Sequence, residues 1–148
     1  MVFKIAVIIV SVLFMECLAW FSHKYIMHGF MWRWHQSHHS RGKELLEKND
    51  LFGIIFGMIS CLFIIVGNLY QSLEILIWIG VGILVYGIFY FIFHDIIVHQ
   101  RVKVRFSTNN SYLKRIIKAH HIHHKSQTKD DAEAFGFLYA QKKYSSKK

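Results

Sequence analysis

All eleven histidines of this 148-residue chain fall into four short groups. These are His23 and His28; His35, His38 and His39; His94 and His99; and His120, His121, His123 and His124. As spacing, the chain reads HxxxxH then HxxHH, and much later HxxxxH then HxxHH again. Imidazole is the commonest protein ligand for iron, zinc, copper and nickel. A closed structural zinc site needs four ligands, and this set far exceeds that number. Ten histidines are also too many for one ion, so two metals with open positions are the natural count.

The spacing constrains how such ligands converge. In HxxHH, positions i, i+3 and i+4 lie on one helix face, so both outer positions can reach one centre. In HxxxxH, i and i+5 differ by about 140° of rotation on a regular helix. Either the helix is distorted there, with Gly29 beside His28 permitting it, or the two histidines serve different ions. The carboxylate-bridged di-iron bundles use ExxH pairs, and this chain has none. A histidine-rich pair of irons that activates oxygen fits better, with a lipid-like substrate entering from the bilayer.

The elements that must position these groups are apolar. Three runs stand out: Ile5 to Phe21, Leu51 to Leu69 and Ile75 to Phe93. The last two can each span a bilayer, and the first can do so if its helix continues through the first histidines. No small-x-small cleavage site follows the first run and Glu16 interrupts it, which argues against a signal peptide. Proline is absent, as suits long helices. Cys17 and Cys61 lie inside apolar runs and read as buried small hydrophobes. The expected fold is all-α: a membrane bundle of about three spanning helices with a histidine-rich helical cap.

Charge fixes the expected orientation. The formal net charge is +9, which in a soluble protein would suggest nucleic acid. Here Lys4 precedes the first run, the turn Tyr70 to Glu74 carries no Lys or Arg, and the segments Lys24 to Lys48 and Arg101 to Lys148 are rich in both. The positive-inside bias places the N-terminus and the turn outside, and the basic segments in the cytoplasm. All four histidine groups then emerge on the cytoplasmic side of the inner (cytoplasmic) membrane. Nucleic acid is not an expected partner; membrane lipid is. Ser111 to Lys125 reads as an amphipathic interfacial helix with Ser111 as its N-cap. Residues 1–140 read as a single domain, and the basic tail 141–148 as disordered.

Several residues outside the histidines invite roles. Asp95, beside His94, could orient a ligand imidazole, and Asp50 opens the second span. Glu16 is an acid well inside a span, where it should face the bundle interior and meet a polar group. Trp20, Trp32, Trp34, Phe89, Tyr90 and Phe93 could line a channel, although an interfacial belt and bundle packing account for most of them.

At particular residues the chain resembles a known family. HKYIMHGFMWRWHQSHH (His23 to His39), Asn49-Asp50, YGIFYFIFHDIIVHQR (Tyr86 to Arg101), AHHIHH (Ala119 to His124) and FGFLYA (Phe135 to Ala140) are similar to the bacterial beta-carotene hydroxylases. These are a branch of the membrane fatty-acid hydroxylase and sterol desaturase superfamily, and the resemblance runs from about Glu16 to Ala140. It implies a non-haem di-iron monooxygenase that inserts one atom of O2 at C3 of each beta-ionone ring, giving beta-cryptoxanthin and then zeaxanthin. It implies electrons from ferredoxin, reduced by an NAD(P)H-dependent reductase. The implied metal ligands are His23, His28, His35, His38, His39, His94, His99, His120, His123 and His124. His121 has no counterpart and reads as an extra, solvent-facing residue. RVKVRF after the third group, and Ala140-Gln141, replace stretches where the family often has proline. The remaining alternatives are another lipid hydroxylase, a desaturase or a carotenoid ketolase of the superfamily, and, from another class, a membrane transition-metal transporter.

Overall fold

Runs of apolar residues that meet lipid must satisfy their backbone hydrogen bonds internally, and a helix does this within one segment. The computed structural model describes residues 1–40 and 46–145, and every regular element among them is helical. The basic residues Arg41 and Lys43, and the tail residues 146–148, lie outside the described residues. Helix α1 covers Val2–Phe21 and continues as a π-helix over Ser22–Phe30. Helix α2 is Trp32–His39, α3 is Asp50–Leu69, and α4 is Ile75–Tyr90, continued as a π-helix over Phe91–Val98. Helix α5 is Ser111–His123.

Among the described residues, three helices are long and apolar enough to cross a membrane: Val2–Phe30, Asp50–Leu69 and Ile75–Val98. The first reaches spanning length by running through His23 and His28, as its short apolar run required. Helix α4 packs against both α1 and α3. Apolar attraction is weak between helices in lipid, so close backbone approach must supply the contact. Gly82 lets α4 lie on α1, because a Cβ there would sit 2.5 Å from Ser11 Cβ. Gly80 does the same toward α3, where Ser60 Oγ donates to the Gly80 carbonyl at 2.8 Å. Ile9, Val10, Leu13, Phe14, Met58 and Leu62 are exposed on the outside of the bundle, as lipid-facing side chains would be, and Cys17 and Cys61, expected to be buried, are exposed as well.

The two ends of the bundle differ. Lys4 Nζ lies 2.8 Å from Glu74 Oε1, so the chain start and the α3–α4 turn share one end. All the histidines lie toward the other. There α5 closes the bundle with a buried face of Ile116, Ala119, His120 and His123. Its N-cap is Asn110 rather than Ser111: the Asn110 side chain accepts from the backbone N–H groups of Tyr112 and Leu113 at 2.9 and 3.1 Å. Asn is as strong a cap as Ser, and here it has the extended backbone that a cap requires.

In the C-terminal strap a 3-10 turn runs over Lys142–Tyr144. Tyr144 is buried against Ile116, Ala119 and Ala140, and its hydroxyl donates to Glu133 at 2.8 Å. Glu16 meets its polar partners as expected of a buried membrane acid. It accepts from Tyr86 Oη at 2.9 Å and from the N–H groups of Phe137 and Leu138 at 3.0 and 2.7 Å. Through these bonds it anchors the FGFLYA strap to α1 and α4.

Candidate metal centre

The two π-helical stretches decide how the HxxxxH pairs behave. A π-turn closes i to i+5, so residues five apart stack on one face. The bonds that do this are present: His99 N–H donates to the His94 carbonyl at 2.9 Å, and Met31 N–H to that of Ile26 at 3.0 Å. At Gly29 the backbone leaves helical dihedrals altogether and the chain turns into α2. Each HxxxxH pair therefore points at one centre.

Ten histidines form two groups of five. One contains His23, His28, His35, His39 and His123; the other contains His38, His94, His99, His120 and His124. In each, one ring nitrogen per residue lies within 4.8 Å of all the others in its group. Each group takes both members of one HxxxxH pair, both outer members of one HxxHH, and the inner member of the other HxxHH. On a helix, i and i+4 differ by only about 40°, whereas i+3 and i+4 are about 100° apart. So His35 and His39 stay together, as do His120 and His124, while His38 and His123 cross over. His121 is exposed and belongs to neither group.

In the first group every ring is oriented from behind. Nδ1 of His23 donates to the Phe135 carbonyl at 3.1 Å, His28 to Lys129 at 3.1 Å, His39 to Ser126 at 2.9 Å and His123 to Glu133 at 2.8 Å. His35 Nδ1 donates to Asn49 Oδ1 at 2.7 Å. A carbonyl can only accept, so these bonds put the proton on Nδ1 and leave a lone pair on Nε2. Yet the Nε2 atoms of His28 and His123 are 3.2 Å apart, and His35 Nε2 lies 3.0 and 3.1 Å from those of His23 and His39. Facing lone pairs repel unless a cation lies among them.

A proton does not serve as that cation at neutral pH. Burial, followed by the nearby His39, pushes His123 down to about 3. Burial and then the Asn49 bond, which acts the other way, leave His35 at about 2. In the second group, burial followed by His94 lowers His99 to about 3, and burial also pulls His38, His120 and His124 well down. His124 Nε2 is buried with no hydrogen-bond partner among the described residues. The donor set suits a transition metal at each group.

The second group has an ionic backing that the first lacks. His38 Nδ1 donates to Glu47 Oε2 at 3.0 Å. Arg101 lies 3.0 Å from that same oxygen, 2.9 Å from Asp50 Oδ1 and 3.2 Å from Asp95 Oδ1. Asp95 stands behind its neighbour: its Oδ1 is 3.5 Å from His94 Nδ1, which has no closer partner among the described residues. Asp50 holds the backbone N–H of Glu47 at 2.9 Å and thereby pins the loop before α3. Glu47, which touches His38, carried no metal signal in the sequence, because an acid in a polar loop looks like solvated surface; Asn49, which touches His35, stood out only as part of the family resemblance.

A model of the fatty acid hydroxylase family matches residues 8–140. The chain belongs to that family. It is 44% identical over 136 residues to a beta-carotene hydroxylase of Pseudescherichia vulneris, covering 92% of this chain and 76% of the relative. It is likewise 44% identical over 134 residues to one from Pantoea ananas, covering 90% and 75%. A chloroplastic beta-carotene 3-hydroxylase of Arabidopsis thaliana is 32% identical over 117 residues, covering 78% of this chain and 39% of the relative. No solved structure matches the chain. An apolar cavity of about 620 Å³ lies between α1, α3 and α4 and reaches His23, His94 and His120. Its outer rim includes Ile54, Leu84, Ile88 and Phe91, all exposed on the lipid-facing side. Of the six aromatics considered as channel lining, only Tyr90 is in this wall. Trp34 packs on Phe52, Trp32 on His28 and His39, and Phe93 on Phe137.

Proposed function

We propose that this chain is a beta-carotene 3-hydroxylase that works with two non-haem irons, one at each five-histidine group. The observation that carries this reading is the joining of ten convergent imidazoles to an apolar cavity that opens toward lipid. The names of the relatives supply the substrate and the ring position. The ligands are His23, His28, His35, His39 and His123 at one iron, and His38, His94, His99, His120 and His124 at the other.

A saturated ring carbon has no acidic proton, so acid–base side chains alone cannot hydroxylate it. When bound, the iron pair supplies activation of O2 for insertion of one oxygen atom into a C–H bond. The balance is R–H, O2, two electrons and two protons giving R–OH and water. The chain's own residues hold and shield this chemistry. Met15, Ile83, Tyr90 and Phe137 give the cavity an apolar wall that holds a hydrocarbon ring against the histidines and excludes water. At His23, His28, His35, His38, His39 and His123 the Nδ1 bonds fix the imidazole tautomer so that Nε2 faces inward. Electrons come from ferredoxin and an NAD(P)H-dependent reductase. The histidine end lies on the cytoplasmic side of the inner membrane, where the basic segments are retained.

Iron-loaded protein in detergent, given beta-carotene, reduced ferredoxin and 18O2, should form zeaxanthin carrying the heavy isotope in both hydroxyls. Hydroxyls labelled from H218O instead would contradict the oxygenase reading.

A further inference from the structure

The two groups of five differ in what stands behind them. In the first, all five Nδ1 atoms donate to neutral acceptors: four backbone carbonyls and the Asn49 amide. In the second, His38 donates to the Glu47 carboxylate, and Asp95 stands behind His94. One guanidinium, Arg101, is shared by Glu47, Asp50 and Asp95, so this cluster keeps a net negative charge. A carboxylate behind an imidazole makes it a more basic, stronger ligand, and the negative charge itself attracts a cation.

We propose that the two groups bind metal unequally, the one containing His38 more tightly, and that Glu47 is the positioning residue that sets the difference. This rests on the two-metal reading above. Glu47 acts through His38, while Arg101 and Asp50 hold it in place from two sides: Arg101 on its carboxylate and Asp50 on its N–H. Asn49, two residues on, is its neutral counterpart behind His35. The loop before α3 thus supplies one ring-orienting side chain to each group, charged for one and uncharged for the other.

Two near-isosteric exchanges separate charge from shape. Glu47→Gln keeps an oxygen to accept from His38 while removing the charge. Asn49→Asp keeps the acceptor for His35 while adding one. Metal-free full-length protein in detergent is titrated with Co2+, and binding is followed by visible ligand-field absorption. Two binding phases are expected in the unaltered protein. Glu47→Gln should weaken the tighter phase by about 10- to 100-fold and leave the other in place. Asn49→Asp should strengthen the weaker phase. Melting temperature of each metal-free variant reports whether the fold is intact. Two equal phases in the unaltered protein, or a Glu47→Gln effect spread equally over both, would overturn the proposal while leaving the two-metal reading intact. No Co2+ binding at all would overturn both.

Discussion

His38 and His39 are adjacent in the chain but join different histidine groups, their rings 6.4 Å apart and inclined at 85°. His123 and His124 do the same from α5. One helical step of about 100° separates such neighbours, so each HxxHH helix stands between the two centres and feeds both. The two histidine groups are therefore interlocked, and each needs α2 and α5 together.

Loss of a crossing ligand should disable the pair. His38→Ala and His123→Ala are each expected to lower iron content and reduce hydroxylation at least about 100-fold, as removal of one member of a catalytic unit does. His121→Ala, at an exposed position outside both groups, should keep full iron content. Metal analysis of purified protein alongside product assay checks both.

Acid should destabilise the metal-free protein. Burial and the neighbouring His94 hold His99 at about 3, against an ordinary 6.5, and His123 is lowered similarly. Between those values the unfolded chain binds more protons than the folded one, so stability falls as pH drops through the window. Above the window these groups contribute no pH dependence. The melting temperature of metal-free protein should be flat above about pH 7 and decline toward about pH 5. A flat profile throughout would show that the rings are not buried as described.

The cavity should be blockable without touching the metals. Gly57 and Gly87 line it, and a Cβ at either meets nothing within 4 Å. Gly87→Phe is expected to raise KM for the carotenoid or abolish turnover while iron content stays unchanged.

Glu16 should matter for structure more than its place in a lipid-embedded helix suggests. Its carboxylate accepts from Tyr86, Phe137 and Leu138, and Phe135, two residues before Phe137, orients His23 through its carbonyl. Glu16→Ala leaves those donors unpaired and should cost about 1–3 kcal/mol. Glu16→Gln, which can still accept from the strap, should cost less. Thermal unfolding in detergent distinguishes the two.

Much of this was legible in the sequence because its signals are periodic. The apolar runs and the HxxHH spacing foretold three spans and a shared histidine end. The HxxxxH spacing posed an alternative that sequence could not decide, since a regular helix separates i from i+5; the π-turns at Ser22–Phe30 and Phe91–Val98 resolve it. Glu47 left no trace, because an acid in a polar loop looks solvated, and neither did the carbonyls of Ser126, Lys129 and Glu133, because backbone acceptors carry no residue signature; Asn49 and Phe135 stood out only as parts of the stretches that carry the family resemblance. Asp95 was legible as the chain neighbour of His94, whose Nδ1 its carboxylate approaches at 3.5 Å.

The most direct measurement is pigment analysis of beta-carotene-producing cells that express this chain. The expected result is conversion to beta-cryptoxanthin and zeaxanthin, lost when His38 is replaced by alanine. Unchanged beta-carotene in cells that contain the iron-loaded protein and a reduced ferredoxin would contradict the assignment.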